Sequence, residues 1–216
     1  ESLVTGLLLP DAPVVAWWPD EAPAKAADSA IGRIATRRIT DAASQKDPHA
    51  FLTQLANTYT PGDSDFAWTR LTPWREQLAT ILDQPPYDKV LGVEVTGPVD
   101  SPSVDLLAAW LGIQLGVEVN LIRTPADDQK HGLVGVKLKR ASGDIEIVRN
   151  EPGVATLIQP SQPTREISLP RRSLRDCLME DLRRLDPDEI FGKIVTRSFK
   201  ETTPRPTVTA DRKATN

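Results

Sequence analysis

The chain has 216 residues, is 39% hydrophobic and 26% charged, and carries a formal net charge of −4, the balance of a globular protein with room for one large domain or two small ones. The acidic surplus argues against general binding to nucleic acid or anionic membranes, both of which need a basic surface. A single cysteine, Cys177, excludes an intrachain disulfide and a cysteine-rich metal site and suits a reducing cytoplasm, while no apolar run reaches the roughly 20 residues needed to span a bilayer.

The opening residues Glu1 to Pro10 have no basic region and no small-residue cleavage site, unlike a signal peptide. The chain lacks an initiator methionine and runs at once into apolar residues, so upstream sequence is expected. Leu3 to Leu9 suits a short helix or an extended segment equally. Pro13-Val-Val-Ala-Trp-Trp-Pro19 reads as a strand, apolar on both faces as if covered by helices on both sides. Ile31, Ile34, Ala35 and Ile39 give the segment from Ser29 a helical spacing that leads into a short strand, Arg38 to Asp41. Asp47 as N-cap and Pro48 at the first position then start a helix. Phe51, Leu52, Leu55 and Ala56 form its buried face, and Pro61-Gly62 ends it.

Pro61-Gly-Asp-Ser-Asp-Phe-Ala-Trp-Thr-Arg-Leu-Thr-Pro-Trp-Arg75 concentrates two of the five tryptophans with two arginines and two aspartates. Thr72 is its expected N-cap and Pro73 its first helical residue, with Trp74, Leu78, Ile81 and Leu82 on the buried face. The proline pair in Gln84 to Asp88 is the expected domain boundary. It separates a helix-rich α/β lobe over 1–83 from a second domain over 84–199.

Lys89 to Val95 reads as a strand. Ser101 and Pro102 start a helix buried through Leu107, Trp110, Leu111 and Leu115, with Gly116 at its left-handed end, and Val117 to Ile122 is a second strand. Strand–helix–strand of this kind makes parallel pairing. Alternation at Val134, Val136 and Leu138, turns at Ser142 to Asp144 and at Glu151 to Gly153, and runs to Ile158 and from Arg165 to Leu169 predict an antiparallel meander. Ser173 is the expected cap of a long helix buried through Leu174, Leu178, Leu182 and Leu185. Asp186 and Glu189 are the expected capping box of a last helix packed by Ile190, Phe191, Ile194 and Val195. The polar tail over 200–216 reads as disordered. The fold class is thus mixed α/β in two small lobes.

No pattern of catalytic residues emerges. His49 and His131 stand far apart without ligand-spaced neighbours, and Cys177 among leucines reads as a small buried hydrophobe. Thr96-Gly-Pro-Val-Asp-Ser-Pro102 resembles a phosphate-binding turn in outline only, with one glycine, no lysine and a repelling Asp100. Asp63 and Asp65 fit a turn, and Asp186, Asp188 and Glu189 fit helix caps. Lys137, Lys139, Arg140 and Arg149 fit a solvated strand face. Tryptophan beside arginine is the composition of interface hot spots, which singles out Trp17, Trp18, Arg37, Arg38, Asp65, Trp68, Arg70, Trp74 and Arg75 as partner-contact candidates. Three of the five tryptophans are expected in the core and one or two at a partner.

Four blocks in order carry a family resemblance: Leu7 to Pro19, Arg37-Arg-Ile-Thr-Asp41, Pro61 to Arg75, and Leu185-Asp-Pro-Asp-Glu-Ile190. Together they resemble the glucose-6-phosphate dehydrogenase assembly protein family, OpcA-like, over nearly the whole chain up to Val195. The resemblance implies a non-catalytic partner that binds glucose-6-phosphate dehydrogenase, promotes its active oligomer and activates it, in the oxidative pentose phosphate pathway that supplies NADPH. It implies no catalytic residue, cofactor or metal, and further sequence upstream of the first block. The rival reading is a sugar-phosphate sensor or enzyme with its site near the 96–102 turn or in the Trp/Arg region.

Overall fold

A computed structural model describes residues 6, 12–126 and 132–200; the expectations for Leu3 to Leu9, for His131 and for the tail beyond Lys200 lie outside them. Among the described residues the chain is mixed α/β, with two sheets.

Strands β1 (Val15–Trp17), β2 (Arg37–Thr40) and β3 (Asp63–Asp65) pair in parallel in that order. β1 is an edge strand; Ala16 is buried, while Trp17 on the opposite face is 37% exposed, so the expected cover is complete on one face and partial on the other. The helix expected from Ser29 does not form either. The Ser29 hydroxyl donates to the Ala26 carbonyl and accepts from the Gly32 amide, and such local bonds offer the backbone a turn in place of a helix. β2 that follows is buried at all four positions.

Helix α1 (Pro48–Thr58) starts as its sequence dictates, with the Asp47 carboxylate accepting from the Ala50 amide. The short helix α2 (Phe66–Thr69) leads into α3 (Thr72–Leu82). Thr72 is not the cap of α3. Leu71 precedes it in right-handed helical backbone, so no extended residue is available to cap, and the Thr72 hydroxyl instead donates to Glu180 Oε1.

The larger sheet has the order β5-β4-β6-β7-β8-β9. β4 (Val90–Pro98) and β5 (Val119–Thr124) are parallel and joined by α4 (Pro102–Leu115); Gly116 ends that helix with φ 64°. β6 (Gly135–Arg140), β7 (Ile145–Glu151), β8 (Gly153–Ile158) and β9 (Arg165–Leu169) form the antiparallel meander. Ser101 occupies the cap position of α4, but its hydroxyl makes no capping bond.

Two short helices close the described chain, α5 (Leu174–Asp181) and α6 (Glu189–Ser198). α5 is shorter than its leucine spacing implies. Cys177 and Asp181 are buried, the latter on Arg37, while Leu174 and Leu182 are exposed. Asp188 rather than Asp186 caps α6, accepting from the Phe191 amide.

One continuous cluster of buried apolar side chains runs from Ala42 to Val195 and includes Trp68, Trp74, Leu107, Leu111, Leu138, Ile147 and Phe191. Each large apolar side chain so buried contributes about 1.5–3 kcal/mol. The cluster draws on both sides of the 83/84 boundary, as Leu78 and Ile81 with Val93 and Val95 show.

Candidate docking surface

Strands β2 and β3 carry a polar core. Arg37, 4% exposed, donates through Nε and Nη2 to Asp181 Oδ1 and through Nη1 to the Asp186 carbonyl. Ser64 and Thr69 hydroxyls complete the Asp181 shell, one on each carboxylate oxygen. Arg38 pairs with Asp63 at 2.5 Å and donates to the carbonyls of Ala35 and Pro61. Asp65 is fully buried; it accepts from the Thr40 hydroxyl and from the amides of Ala42 and Ala67. These are the bonds of a scaffold, for a buried charge is tolerated only when paired and hydrogen-bonded.

The structure therefore divides the residues singled out by sequence. Arg37, Arg38, Asp65, Trp68 and Trp74 lie in the interior and offer a partner no surface, at 0–6% exposure. Trp17, Trp18, Arg70 and Arg75 reach solvent in part. Trp17 lies 5.8 Å from the Phe66 ring, and Arg70 sits over that same ring at 6.0 Å while pairing with Asp41, so an exposed tryptophan and an arginine flank one buried phenylalanine. Arg75 stacks on Trp68 at 3.9 Å, and the Trp68 indole N–H donates to Asp188. Burial pushes the Arg75 guanidinium down to about 10, against the pull of Asp188 and Glu76.

α5 lies between these two spots. Cys177 packs on Ile39 and Phe66, with Leu178 and Val15 beside them. On the side of Asp176, Met179 and Glu180 it borders a cleft of about 1120 Å³ with Arg75 and Ile190 among its walls. Leu174, Met179, Leu182 and Ile190 are each 42–48% exposed. Sequence periodicity missed this face because it assigned Leu174 and Leu182 to the core, whereas both are exposed and Cys177 and Asp181 are buried.

Among the described residues no group of three or more histidine, cysteine, aspartate or glutamate side chains is placed to hold a metal. Burial pushes the Cys177 thiol up to about 11, which removes the thiolate a nucleophile needs. At the 96–102 turn, Asp105 occupies the first turn of α4, and the Ser103 hydroxyl is spent on the Ala67 carbonyl. An anionic ligand would meet a carboxylate there. No helix among the described residues is long and apolar enough to cross a membrane.

Two family models match the chain in succession. Residues 1–57 match the model for the N-terminal domain of the glucose-6-phosphate dehydrogenase subunit, and residues 61–195 match the model for its C-terminal domain. No curated protein matches the chain in sequence. Among solved structures, a UDP-N-acetylglucosamine 3-dehydrogenase from Acidithiobacillus ferrooxidans is similar at 9% identity and a TM-score of 0.47, over 85% of this chain and 76% of that one. An oxidoreductase from Sinorhizobium meliloti is similar at 13% identity and a TM-score of 0.40, over 77% of this chain and 60% of that one. Neither likeness is close enough to carry an activity across.

Proposed function

The chain belongs to the glucose-6-phosphate dehydrogenase subunit family, and from that premise we propose that it is a non-catalytic partner that docks on glucose-6-phosphate dehydrogenase, favours its active oligomer and so raises its activity. The observation that carries the reading is the face centred on α5. There, exposed Met179 and Ile190 line the cleft that Arg75 also lines, and Leu182 is exposed at the end of α5. Cys177 of the same helix packs on Phe66, which Trp17 and Arg70 flank. Aromatic and arginine anchors within an apolar patch are the usual source of binding energy at protein interfaces. Activation then requires no bond-making by this chain. A surface that binds the active state 1–3 kcal/mol more tightly than the inactive one changes activity by roughly five- to 150-fold.

Titration of the purified protein into a dehydrogenase assay, with sizing of the mixture, tests this directly. Activity is expected to rise to saturation together with a larger species. Leu182→Asp, Ile190→Asp and Trp17→Ala are expected to weaken association by about tenfold or more each. Because Leu182 and Ile190 are exposed, stability in those two variants is expected to stay within about 0.5 kcal/mol, whereas Trp17→Ala also gives up its packing on Phe66. An unchanged rate with no larger species would end the proposal. Turnover of a sugar phosphate by the isolated chain would revive the rival reading.

A further inference from the structure

His49 stands on the first turn of α1 and faces α4 and the turn that precedes it. Its Nε2 lies 2.7 Å from the Val99 carbonyl oxygen, and its Nδ1 lies 2.7 Å from Asp105 Oδ2. A carbonyl can only accept, so Nε2 carries a hydrogen and donates it. In a neutral imidazole Nδ1 would then present a lone pair to a carboxylate oxygen at contact distance. That arrangement is repulsive, whereas a proton on Nδ1 turns it into an ion pair. Two acceptors on one ring require two donors.

We propose that His49 is an imidazolium in the folded protein and acts as a proton-operated latch between α1 and the Pro98–Ser101 turn, which opens when the ring loses its second proton. The charged groups that face the ring fit that role. Asp105, on α4, is 8% exposed and holds Nδ1; Arg123, on β5, pairs with the other Asp105 oxygen and opposes the imidazolium. Next to His49 at the start of its own helix, Asp47 is engaged with the Ala50 amide. The bond to Asp105 raises the histidine above its ordinary value, burial works against it, and the Asp105 charge and the Val99 carbonyl add to the rise.

The latch joins the first turn of α1 to the turn before α4. His49 lies within the span matched by the N-terminal family model, and Val99 and Asp105 within that of the C-terminal one. Once neutral, the ring retains one hydrogen for two acceptors and must release the carbonyl or the carboxylate. The turn is otherwise held by backbone bonds, the Val99 amide to the Thr124 carbonyl and the Ser101 amide to the Pro98 carbonyl, and its Asp100 Oδ1 is buried without a hydrogen-bond partner. The sign follows from linkage. A raised histidine contributes stability that is fully present below its ordinary value of about 6.5 and is lost as pH rises through the raised one.

The whole chain has only two histidines, so ring-nitrogen NMR of the labelled protein reads the answer, with His131→Gln for assignment. Both His49 nitrogens are expected to be protonated at pH 6.5, with a midpoint above the ordinary value that falls in Asp105→Asn. The amides of Val99 and Asp100 are expected to shift with the same midpoint, and that shift is expected to vanish in His49→Gln. A neutral ring at pH 6.5, or turn amides that ignore its titration, would overturn the proposal even if Asp105→Asn does not fold. Loss of dehydrogenase activation is not among the readouts, so the latch and the docking surface stand or fall separately.

Discussion

Arg37 and Asp181 are separated by 144 residues and meet almost wholly withdrawn from water, at 5% and 2% side-chain exposure. Attraction between such charges about offsets the cost of dehydrating them, so the pair adds little net stability. Removing one partner is another matter, because it strands the other charge inside. Asp181→Ala is expected to cost about 3–5 kcal/mol in urea unfolding, since Arg37, Ser64 and Thr69 lose their acceptor together. Sequence could not place this pair: it displays charge but not depth, so Arg37 reads as a surface contact until Asp181 is found beside it. Asp65 makes the same point through pH. Burial first, and the neighbouring Asp41 second, push its carboxyl up to about 6, despite the hydrogen bonds from Thr40, Ala67 and Ala42. A carboxyl raised on folding favours the folded chain below its unfolded value and loses that contribution as pH rises through about 6. Chemical denaturation between pH 4 and 7 is expected to show this slope, and Asp65→Asn to flatten it.

At the scale of elements, what could be read from sequence is what is local. α1 and α4 were legible because proline in the first turn, a capping aspartate at α1 and a terminal Gly116 are short-range instructions. So was the meander, whose positive-φ glycines Gly143 and Gly153 stand at its turns. α5 was legible in position but not in what it buries, since the arginine that Asp181 meets belongs to β2, whereas α6 buries Phe191, Ile194 and Val195 as expected and leaves Ile190 exposed. How closely α6 approaches α1 was also hidden. A Cβ on Gly192 would stand 2.4 Å from the hydroxyl oxygen of Tyr59, at the end of α1. Gly192→Ala is therefore expected to destabilise the protein by about 1–3 kcal/mol through overpacking, although alanine favours a helix more than glycine does. In the Tyr59→Ala background the same change is expected to be neutral or stabilising. A double-mutant cycle of urea midpoints checks this, and additive costs would show that the close approach is not what makes glycine necessary.

The whole molecule poses the question of how many folding units it contains. Its sequence shows a proline pair after α3, and the two family models meet a little earlier, between residues 57 and 61. Both features suggest division, yet neither records what packs across it. α1 and α6, from opposite ends of the described chain, touch each other, and α6 also touches α4. Trp68, from one side of the proline pair, packs against Phe191 from the other with ring centroids 5.9 Å apart. An apolar cluster shared in this way cannot be half dissolved without exposing the remainder, and that is the physical basis of all-or-none unfolding. Far-UV circular dichroism and tryptophan fluorescence are therefore expected to report one coincident urea transition for the full chain, because buried Trp68 and Trp74 sense the same cluster that holds the large sheet. Two separated transitions would mean that the shared contacts are weaker than those within each part. The proposed docking face would then draw on two separately unfolding parts: Trp17 and Arg70 from before the proline pair, Leu182 and Ile190 from after it. A single transition places the elements of the proposed docking face in one cooperative unit, as the proposed activator needs if its binding energy is to separate two states of another protein rather than be spent on ordering itself.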